Sequence, residues 1–148
     1  MVDEQAFRTV LAELDKAECP FAKALLAGRA ACSRARRYYL ADREGVECVD
    51  AGARACCNDY LARLRDAAGP ALGLADRGGP LPHGLALKLQ VGGLDGLSGV
   101  LARDGARADT GDVAALLAAA VARHGRLADL PLEEVVAAVV AFTPRRRR

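Results

Sequence analysis

Residues 19–57 read CPFAKALLAGRAACSRARRYYLADREGVECVDAGARACC and contain all five cysteines of the 148-residue chain. The 91 residues after Cys57 have none. In the first half of this stretch, apolar and small residues recur at spacings of three and four, which is typical of one face of a helix. They are Phe21, Leu25, Gly28, Cys32, Ala35 and Tyr39. The spacing predicts one long helix from near Pro20 to about Arg43, or two helices stacked end to end.

The path of the chain between Cys19 and Cys32 decides whether the cysteines can share a site. A straight helix rises about 1.5 Å per residue and would place Cys19 and Cys32 roughly 20 Å apart. Thiolates on one metal ion or cluster must lie within several ångströms of each other. A shared site therefore requires a break in the chain, which is predicted around residues 28–31, with Cys32 at the start of a new helix.

A straight helix leads to a different arrangement of the cysteines. If the chain folds back near residues 44–50, Cys32 lies roughly opposite Cys57. The two would then be small buried core residues, since free cysteine is among the most buried residue types, or they would form a redox pair.

The rest of the chain has helical patterns separated by turn signals. The first helix is predicted from Asp3 to Lys16, where apolar residues recur at helical spacing. Asp50 is a good N-cap for a helix that extends to about Ala68. Residues 81–101 are ambiguous: Leu87, Leu89 and Val91 alternate as in a strand, while other leucines permit a helix, and several glycines weaken both interpretations. Because no second strand is evident, a helix broken at Gly92-Gly93 is predicted.

Two more helices are predicted at the C-terminal end. Thr110 or Asp112 caps the first of them, and Gly125 ends it. Pro131 opens the last helix and Pro144 stops it. The sequence thus predicts an all-α, single-domain helical bundle of five to seven helices over residues 1–144, followed by a disordered arginine-rich tail at residues 145–148.

Composition narrows the classes of function. Of the 21 basic residues, four are Arg145 to Arg148; the other 17 stand against 19 acidic residues, so the basic character belongs to the tail. Aromatics make up only 4% of the chain, which leaves few rings on which bases could stack. Nucleic-acid binding is therefore not expected.

The start of the chain is acidic and lacks the apolar core of a signal peptide, and no apolar run is long enough for a membrane span. A cytoplasmic protein is predicted.

The cysteines carry the only concentrated chemical signal. A soft-metal or iron–sulfur site needs about four thiolates, and cytosolic thiols stay reduced unless they bind metal or take part in redox chemistry. The predicted ligands are Cys19, Cys32, Cys48 and Cys57. Cys56 is the reserve, because Cys57 lies on the apolar face of its helix. Arginines flank Cys32 and would favour thiolate over thiol; they are Arg29, Arg34, Arg36 and Arg37.

The chain resembles a family of short, cysteine-containing proteobacterial proteins for which no activity is known. The resemblance rests on Cys19-Pro20-Phe21-Ala22-Lys23-Ala24, on Ala41-Asp42-Arg43-Glu44-Gly45-Val46-Glu47-Cys48 and on Leu81-Pro82-His83. The family pattern has cysteines at the positions of Cys19, Cys32, Cys48 and Cys57, and a further cysteine where this chain has Val91. The resemblance implies a site built by these positions, without a fifth ligand here.

Three functions follow as hypotheses, none of them enzymatic. The first is an accessory or electron-transfer protein that binds an iron–sulfur cluster or zinc through the four cysteines and works with a redox or assembly protein. The second is a helical adaptor whose cysteines only pack in the core. The third is a thiol redox switch.

Overall fold

The computed structural model describes residues 3–74, 78–105 and 111–144 of the protein. Over these residues the chain is mostly helical and also contains a small antiparallel sheet of two strands. The elements in chain order are α1 (Glu4–Lys16), α2 (Ala22–Leu26), β1 (Ala35–Leu40), β2 (Arg43–Cys48), α3 (Ala51–Leu72), α4 (His83–Arg103), α5 (Val113–His124) and α6 (Leu132–Ala141). The prediction of a purely all-α fold is therefore wrong, while a predominantly helical fold is confirmed.

The long helix predicted up to Arg43 ends instead at Leu26. Gly28 has a φ of +71°, a left-handed conformation that a glycine adopts without steric cost. The N–H of Gly28 donates to the carbonyl of Leu25, and the N–H of Arg29 donates to the carbonyl of Ala24. This pair of hydrogen bonds is the Schellman motif, which satisfies the last carbonyls of a helix and stops it. The chain break that a shared cysteine site requires is thus present, but a strand and not a helix follows Cys32.

The strands β1 and β2 form a hairpin in which Ala35 lies opposite Cys48 and Leu40 lies opposite Arg43. Consecutive tyrosines in β1 favour a strand over a helix. Residues 17–19 run along the other side of β2: the N–H of Cys19 donates to the carbonyl of Val46 at 2.9 Å, and that of Cys48 donates to Ala17 at 2.7 Å. The strand β2 therefore lies between β1 and the segment that carries Cys19.

Helix α4 is continuous through Gly92-Gly93, so the predicted break there is wrong. The glycines instead allow neighbouring helices to approach closely. A Cβ on Gly92 would lie 2.6 Å from the Cα of Val139, and one on Gly96 would lie 2.9 Å from the Cα of Val135, both in α6. The core occupies the space between α3, α4, α5 and α6, together with Phe21 and Val46 from the N-terminal half.

Several predicted boundaries are confirmed. The side chain of Asp50 accepts the N–H of Ala53 at the start of α3, and the side chain of Asp112 accepts the N–H of Ala114 at the start of α5. Gly125 follows the last residue of α5. Thr110 and the tail at 145–148 lie outside the described residues. Across the described ranges, none of the helices is both long enough and apolar enough to cross a membrane.

Candidate functional site

The backbone of β2 positions two of the predicted ligands. Cys48 ends β2, and Cys19 lies on the segment that pairs with the same strand. Both side chains are buried, at 7% and 6% exposure. The Cys48 thiol donates to the carbonyl of Asp50 at 3.2 Å. Pairing along β2 therefore brings two cysteines that are 29 residues apart in the chain into the same part of the core.

The two consecutive cysteines of α3 have different surroundings. Cys57 is 6% exposed and packs in the main core, whereas Cys56 is half-buried at its edge. Both line a cavity of about 190 Å³ between α3 and α5, together with Arg34, Asp50 and Ala114. Cys57 thus lies on the apolar face of its helix, as the sequence predicts. Its role as a ligand in preference to Cys56 stays a prediction.

Cys32 lies on the loop before β1, against the start of α5. Its sulfur accepts the N–H of Arg34 at 3.4 Å, and the backbone N–H of Ala114 also contacts it. The carboxylate of Asp112 holds this loop by accepting the N–H of Ser33 at 3.1 Å. Burial raises the pKa of the Cys32 thiol, the two N–H groups partly oppose this rise, and negative charge on Asp112 adds to it.

Electrostatic interactions join the thiols of all four predicted ligands. Negative charge on Cys19, Cys56, Cys32 or Cys48 would raise the pKa of Cys57, and negative charge on Cys32 or Cys48 would raise that of Cys19. Burial raises the pKa of Cys19 to about 11 and that of Cys57 further, and negative charge on the neighbouring sulfurs increases both shifts. At neutral pH these two thiols are therefore protonated. A positive charge close to the sulfurs would lower the pKa values of these thiols.

The side chains do not form a finished metal site. In the ranges 3–74, 78–105 and 111–144, no three side chains of His, Cys, Asp or Glu are arranged so that they could hold one metal ion. All five cysteines are free thiols. The backbone pairing along β2 and the packing of the core place the four cysteines in the same part of the protein, but no three of their side chains converge on one point.

The position of Val91 lies away from this region. Val91 is buried in α4 in a separate apolar cluster with Ala24 and Leu87. Cys19 and Cys57 belong to the main cluster. A cysteine at position 91 would therefore not simply complete the set formed by the other four.

The arginines that flank Cys32 do not create the electropositive environment that the sequence suggested. Arg34 pairs with Asp50 at 3.6 Å, Arg36 with Glu47 at 3.8 Å and Arg37 with Glu44 at 3.2 Å. The guanidinium of Arg29 stacks on the ring of Phe142. Carboxylates of β2 and of the residue that caps α3 thus balance three of the four cations.

Sequence reasoning identified Asp112 and Asp50 only as helix caps. Asp112 also anchors the Cys32 loop, and the main chain of Asp50 accepts the Cys48 thiol. The contact between Ser33 and Asp112 joins residues 79 positions apart, and no local pattern in the sequence signals such a pairing.

No protein-family model matches this chain, and comparisons with curated proteins and with solved structures gave no significant match. The resemblance to the cysteine-containing proteobacterial family therefore stays a prediction.

Proposed function

We propose that the protein binds a thiophilic metal ion or an iron–sulfur cluster through Cys19, Cys32, Cys48 and Cys57. The observation that carries the proposal is the placement of the cysteines: backbone pairing along β2 joins the segments of Cys19 and Cys48, and Cys19 and Cys57 share the main core cluster, against which Cys32 packs. Four thiolates are the usual complement for zinc or an iron–sulfur cluster.

Protonated thiols are compatible with metal binding. A metal ion binds thiolates, so each thiol releases its proton to solvent when the ion is bound. The role proposed for the loaded protein is that of an accessory or electron-transfer protein acting with a redox or assembly partner.

The test is metal and sulfide analysis of protein purified without oxygen. The wild type is expected to contain zinc, or iron with visible absorbance. Changing any one of the four proposed ligands to serine should lower the metal content, whereas Cys56→Ser should retain it. Cys56 is a close control because it is adjacent to Cys57 on the same helix. Metal-free wild type with five titratable thiols would refute the proposal, and so would equal losses in all five variants.

One observation favours the adaptor hypothesis as an alternative. Buried thiols with raised pKa values are poor nucleophiles and behave as small apolar residues. On this hypothesis, Cys57→Ala costs stability through the cavity that it leaves, while metal content is nil in every variant. The same metal analysis therefore separates the two functions.

A further inference from the structure

We propose that the protein has a second binding site, between α3 and α4, which takes a small carboxylic acid with an apolar chain. The site consists of two neighbouring cavities that share one lining residue, Gln90. It is distinct from the proposed metal site, because only Cys19 of the four proposed ligands lines either cavity.

The larger cavity is mainly apolar. Its volume is about 400 Å³, which is within the range of small-molecule sites. The Nη2 of Arg65 in α3 donates to the carbonyl of Gly79 at 2.6 Å and so holds the loop before α4 against α3. The two charged lining residues, Arg65 and Asp66, have opposite charges, so the cavity suits an uncharged, apolar group. The apolar part of the lining is formed by Leu61, Ala62, Leu81, Ala86 and Leu89.

The smaller cavity is polar and carries a net positive charge. Its volume is about 330 Å³, and its charged lining residues are Lys16, Lys23 and Glu18. Neither lysine forms an ion pair with a carboxylate that the structure describes. Because lysine is protonated at neutral pH, this cavity favours an anionic group.

The two cavities follow each other along α3. Asn58 lines the basic cavity, and Ala62, four residues later, lines the apolar one. Residues four apart lie on the same face of a helix, about 6 Å from each other along its axis. The span from the basic cavity to the apolar cavity is thus short enough for one small molecule.

Gln90 supplies a hydrogen-bond donor where the cavities meet. The residue is only 9% exposed, and its Oε1 accepts the N–H of Ala24 at 2.9 Å. This bond fixes the orientation of the side-chain amide, since Nε2 can only donate. Nε2 donates to no residue in the described part of the chain, and protein atoms do not enclose it completely. A buried donor without a partner costs free energy, and an acceptor bound in the cavities would satisfy it.

A carboxylic acid with an apolar chain meets the requirements of both cavities. Its carboxylate accepts from Nε2 of Gln90 and is attracted by the two lysines, in a hydrogen bond that the negative charge strengthens. Its chain lies against Leu61 and Leu89, where apolar surface is removed from water. A purely apolar molecule would leave the Gln90 donor unpaired, and a small anion would leave the apolar cavity unfilled.

The test is a titration of the isotope-labelled full chain with octanoate, followed by NMR. Octanoate is expected to saturate a single site and to shift the side-chain amide signals of Gln90. Octanol lacks the carboxylate and should bind several-fold more weakly, whereas acetate lacks the chain and should not bind. The proposal is overturned if octanoate leaves the Gln90 signals unchanged, or if octanol or acetate binds as tightly as octanoate.

Two exposed alanines of α3 provide a matched pair of variants. Ala62 lines the apolar cavity, whereas Ala67 does not. Ala62→Leu is expected to weaken octanoate binding several-fold because it fills part of the cavity, and Ala67→Leu should bind octanoate as the wild type does. Equal octanoate affinities of these two variants would contradict the placement of the chain.

Lys23 and Gln90 test the polar end of the site. Lys23→Ala should weaken octanoate binding several-fold and leave octanol binding unchanged. Gln90→Glu keeps an acceptor for the N–H of Ala24 but replaces the donor with a carboxylate, so it should abolish octanoate binding. An unchanged octanoate affinity in either variant overturns the proposal. Because Lys23 is exposed, Lys23→Ala preserves the test if Gln90→Glu does not fold.

Discussion

The fold is most stable when the buried thiols of Cys19 and Cys57 are protonated. Burial raises the pKa of Cys19 from 9.0 to about 11, and it raises the pKa of Cys57 as well. In the unfolded chain both thiols ionise near their ordinary value. When the pH lies between the pKa of the unfolded state and that of the folded state, the unfolded chain loses protons that the folded chain keeps. The free energy of unfolding therefore falls as the pH rises.

The metal-free protein should therefore be most stable below pH 9.0 with respect to these two groups, and its unfolding temperature should fall between pH 9.0 and about pH 11. Thermal unfolding followed by circular dichroism across this range measures the effect. Cys57→Ala should show a shallower decline than the wild type, because one of the two thiols is gone. An identical decline in both proteins would contradict the burial-based explanation.

The hairpin turn contains a residue in an unfavourable backbone conformation. Ala41 has a φ of +54°, which costs a residue with a side chain about 1–2 kcal/mol. Glycine avoids this cost but loses about 0.5–1 kcal/mol more conformational entropy on folding. Ala41→Gly should therefore stabilise the protein by about 0.5–1 kcal/mol in chemical denaturation. Asp42→Gly is the control: Asp42 has no such strain to relieve and should lose stability.

The pairing of α4 with α6 depends on glycines that are not interchangeable along the helix. Gly96 faces the backbone of α6, whereas a Cβ on Gly99 would meet nothing within 4 Å. Gly96→Ala should cost about 1–3 kcal/mol of unfolding free energy through overpacking. Gly99→Ala should instead gain up to about 1 kcal/mol, because alanine is the better helix former. Equal effects of the two substitutions in urea denaturation would show that the close helix approach is not what selects glycine at position 96.

The elements that the sequence predicts correctly are those with local signals. Asp50, Asp112 and Gly125 mark helix ends through interactions within one turn, and the structure has those ends. The hairpin was missed because Tyr39 and Cys32 happen to continue the helical spacing of Phe21 and Leu25. The turn at Ala41-Asp42 also lacks the Asn-Gly or Asp-Gly signal of a tight hairpin.

The unbroken helix α4 and the proximity of the cysteines could not be predicted from the sequence, because both depend on contacts between distant segments. The glycines of α4 indicate a weak helix when taken alone, and only the backbone of α6 explains them. Burial of Cys57 followed from the apolar face of its helix. The proximity of Cys19 to Cys48 depends on the pairing of residues 17–19 with β2, which has no signature in the local sequence.

At the scale of the whole molecule, the four proposed ligands lie on segments that come together only when the chain is folded. They come from the segment before α2, the loop before β1, the end of β2 and the second turn of α3. A ligand that binds all four together stabilises the folded state more than the unfolded one. Metal binding is therefore expected to be coupled to the global stability of the protein.

Zinc added to the metal-free protein should raise its unfolding temperature, by an amount that grows with zinc concentration. The gain is about 2.7 kcal/mol at a free concentration one hundred times the dissociation constant. A chelator should reverse it, and lower pH should weaken it because protons compete for the thiolates. Cys57→Ser should abolish the shift while Cys56→Ser keeps it. Equal shifts in these two variants would place the bound zinc elsewhere on the chain, because the two residues differ mainly in their access to the other three thiols.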